Sequence, residues 1–166
     1  RHTELPAARP RLAVGVDLGG GPLDAAVARA RERGCADATG FVNGDAARLP
    51  IATDAVGLAT YVATLHHLSP RAARVASLSE LSRVLRPGGA GLVSVWSTAH
   101  DRFDRETGFD TTVDWTLPGG ETVPRYYHIY DPDEFAADLA ASDLVTEDVT
   151  VSSGNCYAVV HPQPKE

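Results

Sequence analysis

The stretch LAVGVDLGGG, residues 12–21, decides the fold class. Its apolar run contains β-branched valines and ends at Asp17, and three glycines and Pro22 follow. Such a run, closed by glycine and proline, predicts a buried strand and then a turn. Apolar residues then recur at helical spacing up to Gly34, where the glycine predicts the end of a helix. The stretch and its surroundings therefore predict a strand–turn–helix unit.

The same alternation continues along the chain. Phe41-Val42 predicts a short strand, and residues 55–62 predict a further apolar strand. Ser69-Pro70 predicts the cap and first position of a helix that stops at Arg86-Pro87-Gly88-Gly89, directly before a strand at 91–96. Strands that alternate with helices through short turns predict an α/β, doubly wound architecture with a mostly parallel sheet.

The alternation of strands and helices does not continue in the last third of the chain. Residues 100–127 are polar and carry Pro118-Gly119-Gly120, which predicts an excursion above the sheet with a small hairpin at the glycines. Asp131-Pro132 then predicts a capped helix. Two closing strands, at 144–151 and 157–160, predict an antiparallel C-terminal hairpin at the edge of the sheet.

Composition excludes several classes of protein. The 166 residues are 43% hydrophobic and 22% charged, which is typical of one globular domain. A net charge of −7 argues against indiscriminate coating of duplex nucleic acid, although a local basic patch stays open. Cys35 and Cys156 are isolated, so neither a disulfide framework nor a zinc site is supported. No apolar run reaches the roughly 18 residues of a membrane span, and we expect a reduced, cytoplasmic protein.

Chemistry is expected where strands end, because ligands of open α/β sheets bind outside the carboxyl ends of the strands. Asp17 ends the first visible strand, and a carboxylate there can accept both hydroxyls of a ribose. The alternative is that Asp17 only caps a loop or a helix. In Gly44-Asp45-Ala46 a carboxylate and adjacent amides can read an adenine edge, although this tripeptide taken alone is more often a turn.

Four motifs in this order and spacing resemble the class I S-adenosylmethionine-dependent methyltransferases. They are Val14-Gly15-Val16-Asp17, Gly44-Asp45-Ala46-Ala47-Arg48-Leu49-Pro50, Leu65-His66-His67-Leu68 and Val84-Leu85-Arg86-Pro87-Gly88-Gly89. The resemblance implies a Rossmann-like methyltransferase fold that binds S-adenosylmethionine. It places Asp17 at the cofactor ribose and Asp45 with Ala46 beside the adenine. It also assigns Arg1, Leu18 and Tyr61 to the cofactor site.

One element of that family is missing from the pattern. Its glycine-rich loop follows the first strand, and Gly19-Gly20-Gly21 does not fit because only 24 positions separate Gly21 from Asp45. Those positions hold one helix and one strand, where the family has two of each. Arg1 resembles the beginning of the helix after the loop, and the chain has no methionine. We therefore expect a partial, N-terminally truncated domain at 1–166, with a substrate-side insertion at about 100–127.

A narrower resemblance concerns the methyl acceptor. Arg125-Tyr126-Tyr127-His128, together with the paired histidines and Gly154-Asn155, resembles the enzymes that esterify carboxymethyluridine at the tRNA wobble position. The short insertion and Cys156, which stands where an aromatic residue is expected, depart from that pattern. The resemblance implies a catalytic set. Its members are His66, His67, Arg125, Tyr126, Tyr127 and His128.

A substrate carboxylate is already a nucleophile at neutral pH, so the site has to align it and exclude water. Arg125 could hold the carboxylate bidentately, while one histidine and either Tyr126 or Tyr127 donate hydrogen bonds. Adjacent side chains diverge at a strand end, so we expect one of His66 and His67 to face the site while the other packs. Packing roles for these segments stay open, and Trp96 is expected in the core.

The resemblance also bears on partners. It implies tRNA as substrate and a small zinc-binding activator subunit as a partner. We expect no association with a membrane. Local arginines such as Arg102, Arg105 and Arg125 could contact tRNA despite the acidic balance of the chain. Two rival functions stay open. One is methyl transfer to a small acid or a quinone-like metabolite, and the other is a non-catalytic truncated relative.

Overall fold

The computed structural model describes residues 12–117 and 119–164, which form two compact units that divide between Ala52 and Thr53. The first unit contains β1 (Ala13–Asp17), α1 (Gly20–Glu32), a short 3-10 helix (Ala36–Ala38) and β2 (Thr39–Asn43). The two strands pair in parallel, with Asp17 opposite Asn43. The predicted strand–turn–helix unit is confirmed.

The second unit is built on a four-stranded mixed sheet. Its elements are β3 (Val56–Val62), α2 (Arg71–Val84), β4 (Leu85–Trp96), β5 (Phe109–Thr116), β6 (Thr122–Ile129), α3 (Pro132–Ala140), β7 (Leu144–Ser152) and β8 (Asn155–Pro162). The strand order is β3-β4-β8-β7, in which β3 and β4 are parallel and the other pairs antiparallel. The antiparallel C-terminal hairpin is therefore confirmed, and β5 with β6 forms the hairpin predicted at the glycines.

The core of the second unit lies between this sheet and the two helices. Leu78 and Leu81 of α2 and Phe135 and Leu139 of α3 are buried, as is Val93 of β4. Burial of each such side chain contributes about 1.5–3 kcal/mol to folding. The α3 helix begins as predicted, because the Asp131 carboxylate accepts the Glu134 amide at 2.8 Å.

One predicted cap is wrong. Ser69 does not cap α2, because the cap position falls one residue later, on Pro70, and no side chain caps this helix. The Pro70 carbonyl accepts from the amides of Ala73 at 2.9 Å and Arg74 at 3.4 Å. The backbone oxygen of the proline thus closes the first turn of α2.

Some predictions concern parts of the chain that the structure does not describe. Arg1 lies outside the described residues, so its cofactor role and a preceding strand and glycine loop stay predictions, as does the single-domain organisation. Among residues 12–117 and 119–164, no helix has both the length and the apolar character needed to cross a bilayer.

Candidate active site

The first unit holds two carboxylates at the carboxyl ends of its paired strands. Asn43 ties the ends together, since its Nδ2 donates to the Leu18 carbonyl at 2.7 Å and the Gly44 amide donates to the Asp17 carbonyl at 3.0 Å. Gly44 leaves no room for a side chain, because an added Cβ would lie 2.5 Å from Pro50 Cδ. These contacts bring the β1 and β2 ends into one rigid edge.

The Asp17 carboxylate at this edge is exposed and only partly used by the protein. Its Oδ1 accepts the Gly19 amide at 2.7 Å, which orients the group, and Oδ2 has lone pairs of its own. Leu18 beside it is 72% exposed, an unusual degree for a large apolar side chain. In the next turn, Asp45 Oδ1 accepts the Ala47 amide at 2.8 Å. Hydroxyl acceptors beside an exposed apolar side chain fit a nucleoside.

Ala46 and Tyr61 are the other two described residues assigned to the cofactor. Ala46 is half-buried in the turn between Asp45 and Ala47. Tyr61 lies in the second unit, where it is buried in β3 and its hydroxyl hydrogen-bonds the Ser77 hydroxyl of α2. That contact gives Tyr61 a packing role in its unit, and its cofactor role stays a prediction.

The second unit gathers an aromatic cluster, which we define as His66, His67, Trp96 and Tyr127. The two histidines lie on a short 3-10 helix after β3, Trp96 ends β4 and Tyr127 belongs to β6. The Tyr127 ring lies 5.0 Å from His66, 4.3 Å from His67 and 5.0 Å from Trp96, measured between ring centroids. Both histidines contact Tyr127, so neither of them turns away from the cluster.

His66 is held neutral in this cluster. Its side chain is 1% exposed, and its Nδ1 accepts the Trp96 amide at 3.3 Å, so the ring proton lies on Nε2. Burial, and then the neighbouring His67 and His128, lower the pKa of His66 from 6.5 to about 3. At neutral pH His66 is therefore an uncharged N–H donor.

His67 takes the opposite tautomer. Its Nδ1 lies 3.1 Å from the Tyr126 carbonyl, an acceptor, so Nδ1 carries the proton and Nε2 is left as an acceptor. Burial lowers the pKa of His67, the hydrogen bond to Tyr126 opposes that shift, and the Arg125 charge adds to it. The pair thus offers one donor and one acceptor nitrogen without adding charge.

The His66 pKa makes stability depend on pH. In the unfolded chain the ring binds a proton below its ordinary pKa of 6.5, whereas the folded protein resists protonation until about pH 3. Between these values the unfolded state binds more protons, so acidification destabilises the fold. From pH 7 to 4.5 we expect His66 to account for about 2 kcal/mol of the stability lost. Urea unfolding of the wild type and His66→Asn at both pH values measures this difference.

The control for that prediction is His161, whose pKa is raised by hydrogen bonding to the Gly89 carbonyl and by Glu147. A raised pKa adds stability as pH falls, so His161→Asn should lose more on acidification than the wild type. An acid-induced loss in His66→Asn as large as that of the wild type would contradict the neutral buried ring.

The β5–β6 hairpin separates the remaining predicted residues onto two faces, because side chains alternate along a strand and paired residues share a face. Thr111 pairs with Tyr127, and Val113 with Arg125. The aromatic face accordingly carries Phe109, Trp115, Arg125 and Tyr127. The acidic face carries Asp110, Asp114, Tyr126 and His128. The structure thus brings the ring of Tyr127, and not that of Tyr126, to the histidine pair.

On the acidic face, Asp110 gathers two of the predicted residues. Its Oδ1 accepts from the Tyr126 hydroxyl and from His128 Nδ1, both at 2.7 Å. These bonds, that of His128 first, lower the pKa of Asp110, while burial and the bond to Asp110 raise the pKa of Tyr126. His128 Nε2 lies 2.9 Å from Glu134 Oε1 and makes no hydrogen bond. Tyr126 and His128 therefore meet at Asp110, and His128 also contacts α3 through Glu134.

A buried ionic network lies next to this anchor. Asp138 of α3 is fully buried, and its carboxylate accepts from Arg71 Nε at 2.6 Å, Arg74 Nε at 3.3 Å and the Tyr130 hydroxyl at 2.9 Å. Arg74 is 4% exposed and also contacts Glu134 at 3.3 Å. The network joins α2, α3 and the residue that follows β6.

Four contributors were missed as site residues by sequence reasoning. Trp96 was expected in the core, and Asp110, Asn43 and Trp115 carried no assigned role. The alternation of β5 could have placed Asp110 and Trp115 on opposite faces, and the strand-end position of Asn43 was a usable signal.

Gly154 has φ +74°, and a Cβ there would meet His100 at 2.6 Å. Asn155 pairs with Trp96, so the Gly-Asn motif borders the aromatic cluster.

Known methyltransferases resemble part of this chain in sequence. A family model described as a methyltransferase domain matches residues 1–93. The chain is 36% identical over 97 residues to an Encephalitozoon cuniculi protein named as a methyltransferase, covering 55% of this chain and 45% of that protein. It is 39% identical over 57 residues to the tRNA (carboxymethyluridine(34)-5-O)-methyltransferase of Arabidopsis thaliana, covering 34% and 14%. The match spans less than half the length of either relative.

Solved structures share the fold. A Clostridium acetobutylicum S-adenosylmethionine-dependent methyltransferase superposes with a TM-score of 0.75 and 13% identity, covering 96% of this chain and 78% of that one. At such low identity the likeness concerns the fold alone. The predicted Rossmann-like methyltransferase fold is confirmed.

Proposed function

Because the chain belongs to the methyltransferase domain family, we propose that it methylates the carboxylate of a carboxymethyl-modified wobble uridine in tRNA. The observation that carries the acceptor is the aromatic cluster with its uncharged histidine pair, beside Arg125. The match to the Arabidopsis thaliana tRNA methyltransferase supports the same acceptor.

S-adenosylmethionine is the cofactor that the family implies, and when bound it supplies an electrophilic methyl group. The residues at the β1–β2 edge fit its adenosine part. Asp17 would accept the ribose hydroxyls, Leu18 would cover an apolar face of the nucleoside, and Asp45 with Ala46 would lie beside the adenine. These assignments agree with the exposure of Asp17 and Leu18 and with the orientation that Gly19 gives to the Asp17 carboxylate.

The cluster suits an acceptor that is ionised without help. A carboxyl group has a pKa near 4, so at neutral pH it is already a nucleophile and needs no general base. Alignment and exclusion of water then set the rate. Tyr127 is buried and His66 uncharged, so their surroundings solvate a carboxylate poorly. Methyl esterification would form a C–O bond as the sulfonium C–S bond breaks, and would turn two charged groups into a neutral ester and a neutral thioether, which a weakly polar site favours.

Arg125 would orient the carboxylate. Its guanidinium lies 4.8 Å from the Trp115 ring centroid, a cation–π contact that fixes the plane of the guanidinium and leaves its N–H edge for a bidentate partner. The charge of Arg125 also acts on His67, which places the two groups within electrostatic reach. His66 would add a hydrogen bond through Nε2–H, and Tyr127 one through its hydroxyl.

The acceptor is tested by methyl transfer with radiolabelled cofactor. Substrates are tRNA carrying carboxymethyluridine at the wobble position, the same tRNA unmodified, and a panel of small acids and quinone-like metabolites. We expect label only in the modified tRNA, and we expect mild alkali to release it, as a methyl ester requires. Transfer to a metabolite and not to tRNA would support the small-molecule rival. No transfer and no cofactor binding would support the non-catalytic rival.

In the same assay, Arg125→Ala should lower turnover on modified tRNA about tenfold, the loss of one charge-assisted pair. The dissociation constant of the cofactor should stay unchanged, and Arg29→Ala, at an exposed position of α1, serves as the charge-matched control. An equal loss of turnover and of cofactor affinity in Arg125→Ala would indicate a packing role instead. The zinc-binding activator subunit stays a prediction of the resemblance.

A further inference from the structure

The aromatic face of the β5–β6 hairpin carries two arginine–aromatic pairs. Arg125 lies 4.8 Å from the Trp115 ring centroid, and Arg105 lies 4.5 Å from that of Phe109. Phe109 and Trp115 are six residues apart on one strand, about 20 Å along it. Tyr127 pairs opposite Thr111, between them. Planar guanidinium and aromatic groups therefore lie in a row along a single face, and Tyr127 in this row contacts the histidine pair.

Exposure distinguishes the outer end of this face from a packing surface, whereas Tyr127 and Ile129 at its inner end are buried. Trp115 is 47% exposed at the outer end of the hairpin, and Arg105 and Arg125 are exposed. A tryptophan placed for stability alone would bury most of its large ring. Its ring is instead presented to solvent together with a guanidinium, and both groups stack well on nucleobases.

The two faces of the hairpin also differ in charge. Both acidic residues of the two strands, Asp110 and Asp114, lie on the acidic face. Arg125 lies on the aromatic face, where β5 and β6 contribute no carboxylate. In a chain of net charge −7, this local separation favours a polyanion on the aromatic face only.

We propose that the aromatic face is a binding platform for single-stranded RNA, on which a base next to the methylated nucleotide stacks against Trp115 while Arg105 and Arg125 contact the strand. The inference deepens the proposed function and rests on it for the identity of the strand, an anticodon loop. Duplex RNA hides its bases from such a platform, so the single-stranded form is preferred.

The test measures RNA binding apart from methyl transfer. Fluorescence anisotropy gives the dissociation constant of a labelled ten-nucleotide single-stranded RNA for the wild-type chain, Trp115→Ala, Trp115→Phe and Thr112→Ala. Thr112 is exposed on the acidic face and serves as the matched control. We expect Trp115→Ala to weaken binding roughly tenfold, as loss of a stacked base does. Trp115→Phe should restore most of the affinity, and Thr112→Ala should bind like the wild type.

Further measurements separate stacking from other causes. RNA should quench tryptophan fluorescence in the wild type, and Trp115→Ala should lose most of the quenching. A duplex of the same sequence should bind more weakly than the single strand. Three results would each overturn the platform. They are wild-type affinity for RNA in Trp115→Ala, equal affinity for single strand and duplex, and displacement of RNA by polyglutamate added at the same concentration of negative charge.

Failure of the RNA platform and failure of the proposed methyl acceptor give different results. A chain that binds single-stranded RNA through Trp115 but methylates no tRNA would refute the acceptor and support the platform. A chain whose Trp115→Ala variant methylates modified tRNA with an unchanged KM would support the acceptor and overturn the platform.

Discussion

Replacing Asp138 with Ala is expected to lower the free energy of unfolding by about 3–5 kcal/mol, the usual cost of removing one partner from a buried ion pair. Asp138 is fully buried and accepts hydrogen bonds from Arg71, Arg74 and Tyr130. Without it, Arg74, which is 4% exposed, keeps the 3.3 Å contact to Glu134 and a cation–π contact with the Tyr130 ring, but loses its fully buried counter-charge. The Tyr130 hydroxyl loses its partner as well. Urea unfolding at pH 7 measures the change.

Two further variants show whether the stability lost in Asp138→Ala comes from leaving the Arg74 charge buried without a partner or from losing the hydrogen bonds of Asp138. Arg71 is 55% exposed, so Arg71→Ala removes one arm of the network at a cost of about 1 kcal/mol or less. Replacing both buried partners, as Arg74→Met with Asp138→Leu, should recover much of the loss, because no fully buried unpaired charge is then left, and Arg71 and Glu134 are partly exposed. A loss below about 1 kcal/mol in Asp138→Ala would contradict this account.

The predicted elements with strong local signals are those that the structure confirms. Asp131-Pro132 begins α3 because a carboxylate cap and a proline at the first helical position act within a single turn. Gly34 follows α1 at φ +65°, a conformation that glycine adopts without strain. The turn at Gly119-Gly120 likewise predicted a hairpin. Each signal lies within a few residues of the feature it determines.

The missed features depend on contacts between distant segments. Which of Tyr126 and Tyr127 meets the histidines is set by the register of β6 against β5, in which Tyr127 pairs with Thr111. The tautomer of His66 depends on an amide 30 positions away. Asp138 and Arg74 lie 64 positions apart, and neither has a sequence motif. Local patterns could not predict these pairings, since each needs the sheet to be assembled first.

Replacing Asp17 with Ala is expected to weaken binding of S-adenosylmethionine about a hundredfold. Two charge-assisted hydrogen bonds to ribose hydroxyls together contribute about 3 kcal/mol, which corresponds to that factor. Asp17→Asn keeps an acceptor oxygen for the Gly19 amide but lacks the charge, so its loss should be smaller, about tenfold. Calorimetric titration gives the three dissociation constants.

A second ligand shows whether Asp17 binds the ribose or only caps its turn. The wild type should bind S-adenosylmethionine more tightly than its 2′-deoxyribose analogue, whereas Asp17→Ala should bind the two alike, because the partner of the missing hydroxyl has also gone. Asp37, exposed and placed before the opposite end of β2, is the matched control, and Asp37→Ala should discriminate like the wild type. If Asp17→Ala retains the wild-type preference for the hydroxyl, its carboxylate serves the Gly19 turn and the ribose is held by other groups.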